Sequence, residues 1–593
     1  MSTPNLRIVE AVAQCSIPTE SQTQGRECYA FSAREDAAFE AVKVYAYHLM
    51  ETYEIPREAC EVKTDAIGNL FVTFFGQDRS RAIMSGSHVD SVLQGGKFDG
   101  VAGVNSAMNF LEKVFAAHKN GQESQMNYTV AVFRGEESSP KTGATCLGSR
   151  IATGTITPQE LEQVMYMLDD GKKIPFRMYL QTKYGEAEGE QMWADMLAEI
   201  ANPPLTAANV AHYEELHIEQ SGVCEALDVD VGIVIDGIGG AVRQVIKLPL
   251  RRDLIKSLNL SRPDSHKRIT FTFTGEEAHT GGTPPNTRAT YRHDTPWYRK
   301  DALIAASHFV EGLVELFQDP KMTGNIQILN ISVPELTGYT TVPKLQTVEL
   351  LVPTYFLDPR AEDEPFGRFL KHNKQYMSHF LRTELTWKSQ PAYGVISYLD
   401  PAAMEAMEIP SLVERLARTE VARQVGMSGE SVGVGRIRGT VTDFRMSPAS
   451  GSIDCNLDFR DVDPEAMRFM LTQVRSKVST IAGHLVDSSA DIDARGIIRT
   501  VSEKAYVPVD PQAVVDKTTQ AESLGFTHVK MPSLPGHDAA SLGQAGIPIS
   551  MTFVRHDGLS HNARETMPAQ HYLNAEALSH AFLAQKLGLG EKV

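Results

Sequence analysis

Residues 85–104, SGSHVDSVLQGGKFDGVAGV, place an imidazole and two carboxylates in one short span. His88 and Asp99 stand eleven positions apart across a Gly-Gly turn, so a loop can fold them back onto one point. Imidazole and carboxylate are the donors that borderline divalent cations favour. Asp90, two residues past His88, suits a supporting role: a nearby carboxylate accepts the second ring N–H of a ligating histidine and fixes its tautomer.

Three further stretches offer matching chemistry. Glu136 and Glu137 follow the apolar run 128–133, YTVAVF, where a buried strand is predicted to end. At a strand end both side chains can flank one cavity, one binding a cation and the other serving as general base. His217 lies in the strand-like run Leu216-His217-Ile218 ahead of Glu219-Gln220, and His561 in a Gly-Leu-Ser-His loop after the run 549–554. Loops that follow strands are where α/β proteins put site residues. His88, Asp99, Glu137, His217 and His561 make five ligands, enough for two metal ions if Asp99 bridges them. Ions bridged at ~3.5 Å would lower the pKa of a shared water and polarise a carbonyl. Glu136 would take the proton and pass it to a leaving nitrogen.

The elements that must position these residues read as an α/β chain. Helical spacing marks residues 36–53 and 102–118, and apolar runs predict strands at 70–75, 82–84, 128–133, 231–235 and 549–554. Asp99 then lies near a helix N-terminus, where negative charge is favourable. The alternation of strand, motif and helix is that of a sheet with its site at the strand carboxyl ends. Residues 156–212 read as mixed and mostly helical. The segment 236–498 is organised differently, with strands at 269–273 and 452–459 and helices at 302–318 and 465–483; within it, 320–430 resists assignment and reads as an elaboration of an inserted domain.

The totals narrow the partners. The chain has 593 residues and a net charge of −17, which argues against a general nucleic-acid binder. No apolar run is long enough to span a bilayer. The N-terminus lacks signal-peptide architecture, so a cytoplasmic location is expected. Six cysteines without CxxC spacing read as reduced packing residues.

Taken together, the motifs resemble the amidase family of dinuclear-metal hydrolases that includes N-carbamoyl-L-amino-acid hydrolases, allantoate amidohydrolases and β-ureidopropionases, relatives of the metal-dependent aminoacylases and carboxypeptidases. The matching segments are DAIGNL, GSHVDSVLQGGKFDGVAGV, FRGEESS, LGSRIATG, ELHIEQSG, EEAHTGGTPP, DFRD, PGHDAASLGQAGIP and GLSHNARE, in that order along the chain. The resemblance implies an α/β fold in which a discontinuous metallohydrolase catalytic domain (1–235 and 499–593) carries an inserted α+β lid and dimerisation domain (236–498). It implies two divalent ions per subunit (zinc, manganese, cobalt or nickel), one held by His88, Asp99 and His217 and the other by Asp99, Glu137 and His561. Glu136 would be the base, and His279 would enter the partner subunit's site to stabilise the oxyanion. Gln220 would contact substrate, and Arg460 would clamp its carboxylate. The implied protein is a homodimer cleaving a linear C–N bond of an N-carbamoyl or ureido carboxylate. The alternatives are an aminoacylase or dipeptidase, and a non-catalytic dimeric binding protein.

The sequence departs from the family at three places. Arg445 stands where a substrate-binding Asn is expected, and the loop from there to Asp458 reads as longer. The family's Pro-Met-x-x-Arg-x-Asp-Ala is split, so that Arg288 or Arg299 could match its Arg. Insertions fall near 247–266 and 320–430.

Overall fold

The strand carrying His88 runs over Asp78–His88, well beyond the three residues expected at 82–84. It pairs in parallel with Met126–Phe133 on one side and with Val210–Ile218 on the other. Ser85 and Ser87 lie within it because their hydroxyls find buried partners: Ser85 the Tyr128 hydroxyl at 2.5 Å, and Ser87 the Glu215 carboxylate at 2.8 Å. A polar side chain inside a two-faced sheet is tolerated when it is hydrogen-bonded. Val210–Ile218 pairs in parallel with Ile549–Val554, a strand found at its expected bounds. These four adjacent parallel strands form the middle of a nine-stranded sheet. Leu70–Phe74 and Cys60–Thr64 extend one side, and Val231–Ile238, His528–Ser533 and Val507–Pro508 the other.

The computed structural model describes residues 5–18, 26–92, 95–137, 141–276, 278–279, 300–318, 322, 326–334, 341–357, 365–413, 416, 437–461, 463–486, 496–556, 560–561 and 565–590. The chain divides into two compact units, Met1–Gly239 with Tyr506–Val593, and Gly240–Ala505. Among the described residues no helix is long and apolar enough to cross a membrane.

In the first unit, parallel neighbours demand crossover connections. Val101–Lys119 is the first of them, and nearly all of its first three turns is buried. Val104, Phe110 and Leu111 join Leu578 and Leu583 of the helix Ala569–Leu587 in one apolar cluster, while Met84, Phe133, Met551 and Phe553 cluster separately with Leu542. Burying a side chain such as Phe110 or Phe133 contributes about 2 kcal/mol relative to exposure. The helix Ala33–Thr52 begins earlier than the apolar spacing suggests because the Ser32 hydroxyl accepts the Glu35 N–H as its N-cap.

The second unit is built on a ten-stranded sheet whose pairings are antiparallel. Its central strands include Gly240–Pro249, Ser452–Asp461, Gln327–Ser332 and Leu345–Pro353, with the helices Ala302–Leu316 and Pro464–Leu485 in the same core. The stretch 320–430 that resisted assignment supplies the strands Leu345–Pro353, Glu384–Pro391 and Gly394–Leu399. The two insertions meet: Ile255–Leu260 pairs with Gly394–Leu399 from Ile255↔Leu399 to Leu260↔Gly394. Leu260 and Ile396 bury together with Leu329, Leu351 and Ala392. Each strand covers the other's edge, so neither has an evident reason to form alone.

Candidate metal centre

The four parallel strands deliver their chemistry at one level. His88 is paired with Phe133, and His217 with Phe553. Glu136 and Glu137 follow Phe133, Gln220 follows Ile218, and His561 lies in the loop after Val554. Gly100, at the N-cap of the helix Val101–Lys119, allows Asp99 to turn in; its φ is +69°, and a Cβ there would come within 2.4 Å of the His88 ring. Gly103 likewise lets the helix approach the strands, since a Cβ would sit 2.3 Å from the Leu216 carbonyl oxygen.

Two triads of buried donors result. Ligand atoms of His88, Asp99 and His217 lie within 4.8 Å of one another, as do those of Asp99, Glu137 and His561. Asp99 belongs to both. His217 Nε2 is 3.1 Å from Asp99 Oδ1, and His561 Nε2 is 3.5 Å from Asp99 Oδ2 and 3.4 Å from Glu137 Oε1. His88 Nδ1 faces the Asp90 carbonyl oxygen at 3.1 Å, and His217 Nδ1 the Ile218 carbonyl oxygen at 3.0 Å. A carbonyl oxygen only accepts, so each Nδ1 carries a proton and each Nε2 is the nitrogen turned inward, where a cation can take the place of a proton. The Asp90 carboxylate, expected to accept the His88 ring N–H, lies farther off, with its Oδ1 3.5 Å from His88 Nδ1, and the backbone carbonyl of the same residue is the nearer acceptor. The carboxylate accepts the backbone N–H of Glu136 at 3.2 Å and of Glu137 at 3.0 Å.

Glu136 Oε2 is 3.8 Å from His88 Nε2, and the Cys146 thiol donates to Glu136 Oε1 at 3.3 Å. The Gln220 amide donates to both Asp99 oxygens, at 3.2 and 3.0 Å, while its own buried Oε1 has no partner among the described residues.

The electrostatics ask for positive charge. Burial pulls the three imidazoles down, but neighbouring carboxylates outweigh it. Asp90 and Glu136 hold His88 well above its ordinary value, Asp99 brings His217 to about 9, and Glu137 raises His561. Burial alone would raise Asp99, yet the three histidines keep it well below the usual carboxylate range.

Several supporting residues lie within the matched motifs, yet residue type and spacing assigned them no role. Glu215, His217 and His537 form a third convergent group, but its donors are engaged. Glu215 accepts Ser87 Oγ at 2.8 Å and the Ala539 N–H at 2.9 Å, and His537 Nε2 lies 2.8 Å from Ser533 Oγ. Burial raises Glu215. Glu565, held by burial at about 8, accepts the Phe98 N–H at 3.1 Å and so ties the His561 loop to the approach to Asp99. Arg134, ahead of Gly135-Glu136-Glu137, donates to buried Glu35 at 2.9 Å, and its own N–H is accepted by Asn69.

The remaining sequence candidates lie in the second unit. Arg460 is buried, and its guanidinium donates to both oxygens of Asp458, at 3.0 and 3.1 Å. Arg445 is part of the strand Ile437–Ser447 rather than a long loop; four residues turn the chain into Ser452–Asp461, and Arg445 Nε donates to Asp443 at 3.0 Å. The alternation of Phe444, Met446, Ile453 and Cys455, all buried, makes this hairpin. The backbone of His279 pairs with Thr341 in a two-residue bridge, while its side chain, with Arg288 and Arg299, lies outside the described residues.

The sequence profile described as peptidase family M20/M25/M40 matches residues 84–585, from within the His88 strand to the last helix. The chain belongs to that family. Among its relatives, ureidoglycolate hydrolase of Oryza sativa subsp. japonica is 29% identical over 205 residues, 32% of this chain and 39% of that protein. N-carbamoyl-L-amino-acid amidohydrolase of Paenarthrobacter aurescens is 31% identical over 192 residues, 32% of this chain and 42% of the relative. The matched region thus spans about two fifths of these curated relatives. The crystal structure of a hydantoinase/carbamoylase family amidase from Burkholderia multivorans superposes with a TM-score of 0.53 at 20% identity, covering 99% of each chain. It shares the mixed α/β fold.

Proposed function

We propose that the chain is a metal-dependent amidohydrolase that cleaves a linear amide C–N bond of an N-carbamoyl amino acid or a related ureido carboxylate. The unit Met1–Gly239 with Tyr506–Val593 is the catalytic domain, and Gly240–Ala505 is an inserted lid and dimerisation domain in a homodimer. The observation that carries this reading is the pair of buried triads sharing Asp99 beside Glu136.

The donor set fits two divalent cations: imidazole Nε2 atoms turned inward, a shared carboxylate, and a surplus of negative charge that raises His88, His217 and His561 alike. His88, Asp99 and His217 would hold one, and Asp99, Glu137 and His561 the other. When bound, such a pair polarises a substrate carbonyl and makes water more acidic. Glu136 would take a proton on Oε2 and return it to the departing nitrogen, a role supported by Cys146 holding its Oε1. Asp90 steadies His88 and the Glu136–Glu137 main chain. Gln220, whose buried Oε1 has no partner among the described residues, suits a substrate N–H. His279 of the partner subunit supports the oxyanion, and Arg460 and Arg445 supply positive charge for a substrate carboxylate.

The names of the relatives support the ureido and carbamoyl choice. The test is a substrate panel on metal-replete protein: N-carbamoyl amino acids and ureido acids against N-acetyl amino acids and dipeptides, with ammonia release measured. Turnover of the first group is expected. Turnover confined to acetyl amides or dipeptides would make the protein an aminoacylase or dipeptidase, and inactivity on every member would favour a binding role.

A further inference from the structure

We propose that Arg26 is a positioning residue that sets the separation of His88 and Asp99, and thereby the affinity of the centre for divalent cations. The inference rests on the metal reading above and adds a residue that belongs to none of the matched motifs.

Arg26 is 2% exposed, among the largest fully buried side chains of the protein. Its guanidinium reaches main-chain oxygens on both arms of the loop that separates the two ligands. Nη1 donates to the Val89 carbonyl at 2.7 Å, and Nη2 to those of Asp90 at 3.4 Å and Asp99 at 3.2 Å. Val89 and Asp90 directly follow His88, and the Asp99 carbonyl belongs to the bridging ligand itself. One planar group therefore spans the start and the end of the segment.

The main chain around Arg26 reinforces the clamp. The Arg26 N–H donates to the Gly95 carbonyl at 2.8 Å, the Cys28 N–H to Ser91 Oγ at 2.9 Å, and the Ser91 N–H to the Cys28 carbonyl at 2.8 Å. Residues 26–28 thus run as a strap along the loop, with the guanidinium inserted at its neck.

The chemistry of the side chain explains the choice. A guanidinium presents its donors in a fixed plane and stays charged when buried. A lysine ammonium is a single point on a flexible stem and cannot bridge three carbonyls at fixed separation. Carbonyl oxygens turned inward between two ligand-bearing arms would repel one another and leave their lone pairs unsatisfied without such a donor. Filling the neck fixes the backbone from which both ligands project, so ligand geometry exists before a cation arrives.

The test uses the full chain with Arg26→Met and Arg26→Lys. Zinc and manganese affinities are measured by competition with a chromophoric chelator, and thermal midpoints with and without metal. Arg26→Met is expected to weaken metal affinity by about tenfold or more, within the range seen when groups supporting ligands are removed. The metal-induced rise in midpoint should shrink, and added metal should restore most of kcat with little change in KM. Arg26→Lys should fall between the two; if the Met variant does not fold, the Lys variant decides. Wild-type affinity in the folded variants, with only the metal-free midpoint lowered, would make Arg26 a purely structural residue and overturn the inference. Failure of the wild type to bind either metal would instead bring down the metal reading on which it rests.

Discussion

Asp90 Oδ2 accepts the backbone N–H of Glu137 at 3.0 Å. The residue beside His88 therefore also holds the main chain of Glu137, a proposed carboxylate ligand 47 positions away. Its other oxygen takes the Glu136 N–H. In an asparagine one of these two oxygens becomes an NH2, a donor that cannot receive the amide facing it. Asp90→Asn should therefore lower metal affinity about 10–100-fold. Chelator competition measures this directly, and unchanged affinity would remove Asp90 from its supporting role.

Gly100 admits the His88 ring. Gly100→Ala places a methyl within 2.4 Å of that imidazole on backbone at φ +69°. The strain should cost about 1–3 kcal/mol in denaturant unfolding. Metal binding should weaken more than at any exposed glycine such as Gly121, where a Cβ meets nothing within 4 Å.

Arg134 and Glu35 form a buried ion pair beneath the Glu136–Glu137 turn, and Arg134 also pairs with Asp36. Removing one partner of a buried pair leaves the other charge uncompensated. Arg134→Met should destabilise the fold by about 3–5 kcal/mol, read from the urea midpoint. Glu35→Gln with Arg134→Met together should cost less than the sum of the single changes.

His580 titrates far from the centre. Burial, with Lys113 nearby, depresses its imidazole to about 3 from an ordinary 6.5. The neutral ring's contribution is present above pH 6.5 and is lost as pH falls toward 3, because only the unfolded chain gains the proton there. This one group should cost about 2 kcal/mol between pH 7.5 and pH 5. His580→Gln should flatten the slope of unfolding free energy against pH in that window. An unchanged slope would mean His580 does not titrate as placed.

The five donors that converge in the two triads were legible because each sits in a short motif at or after a strand end, and the apolar runs 128–133 and 549–554 located two of those ends. Of the groups around them Asp90 was legible, and most others were not. Arg26 acts through carbonyl oxygens, which no residue type announces. Asp538 meets Ser149 across 389 positions, a pairing that exists only once the sheet is formed. The stretch 320–430 hid its strands because they lie in a sheet assembled from distant segments, and Gly394–Leu399 pairs along its length with Ile255–Leu260. Arg445 looked like a loop residue because Pro448, Ser450 and Gly451 dominate the eye, although the alternation beside them was that of a hairpin.

The central claim is a two-cation centre joined through Asp99. The most direct measurement is metal content per chain, by plasma mass spectrometry after equilibrium dialysis, for the wild type and for His217→Ala, His561→Ala and Asp99→Ala. About two ions are expected in the wild type, about one in each histidine variant, and none in Asp99→Ala. A wild-type count of one, or an Asp99→Ala protein that keeps a full complement, would contradict the claim.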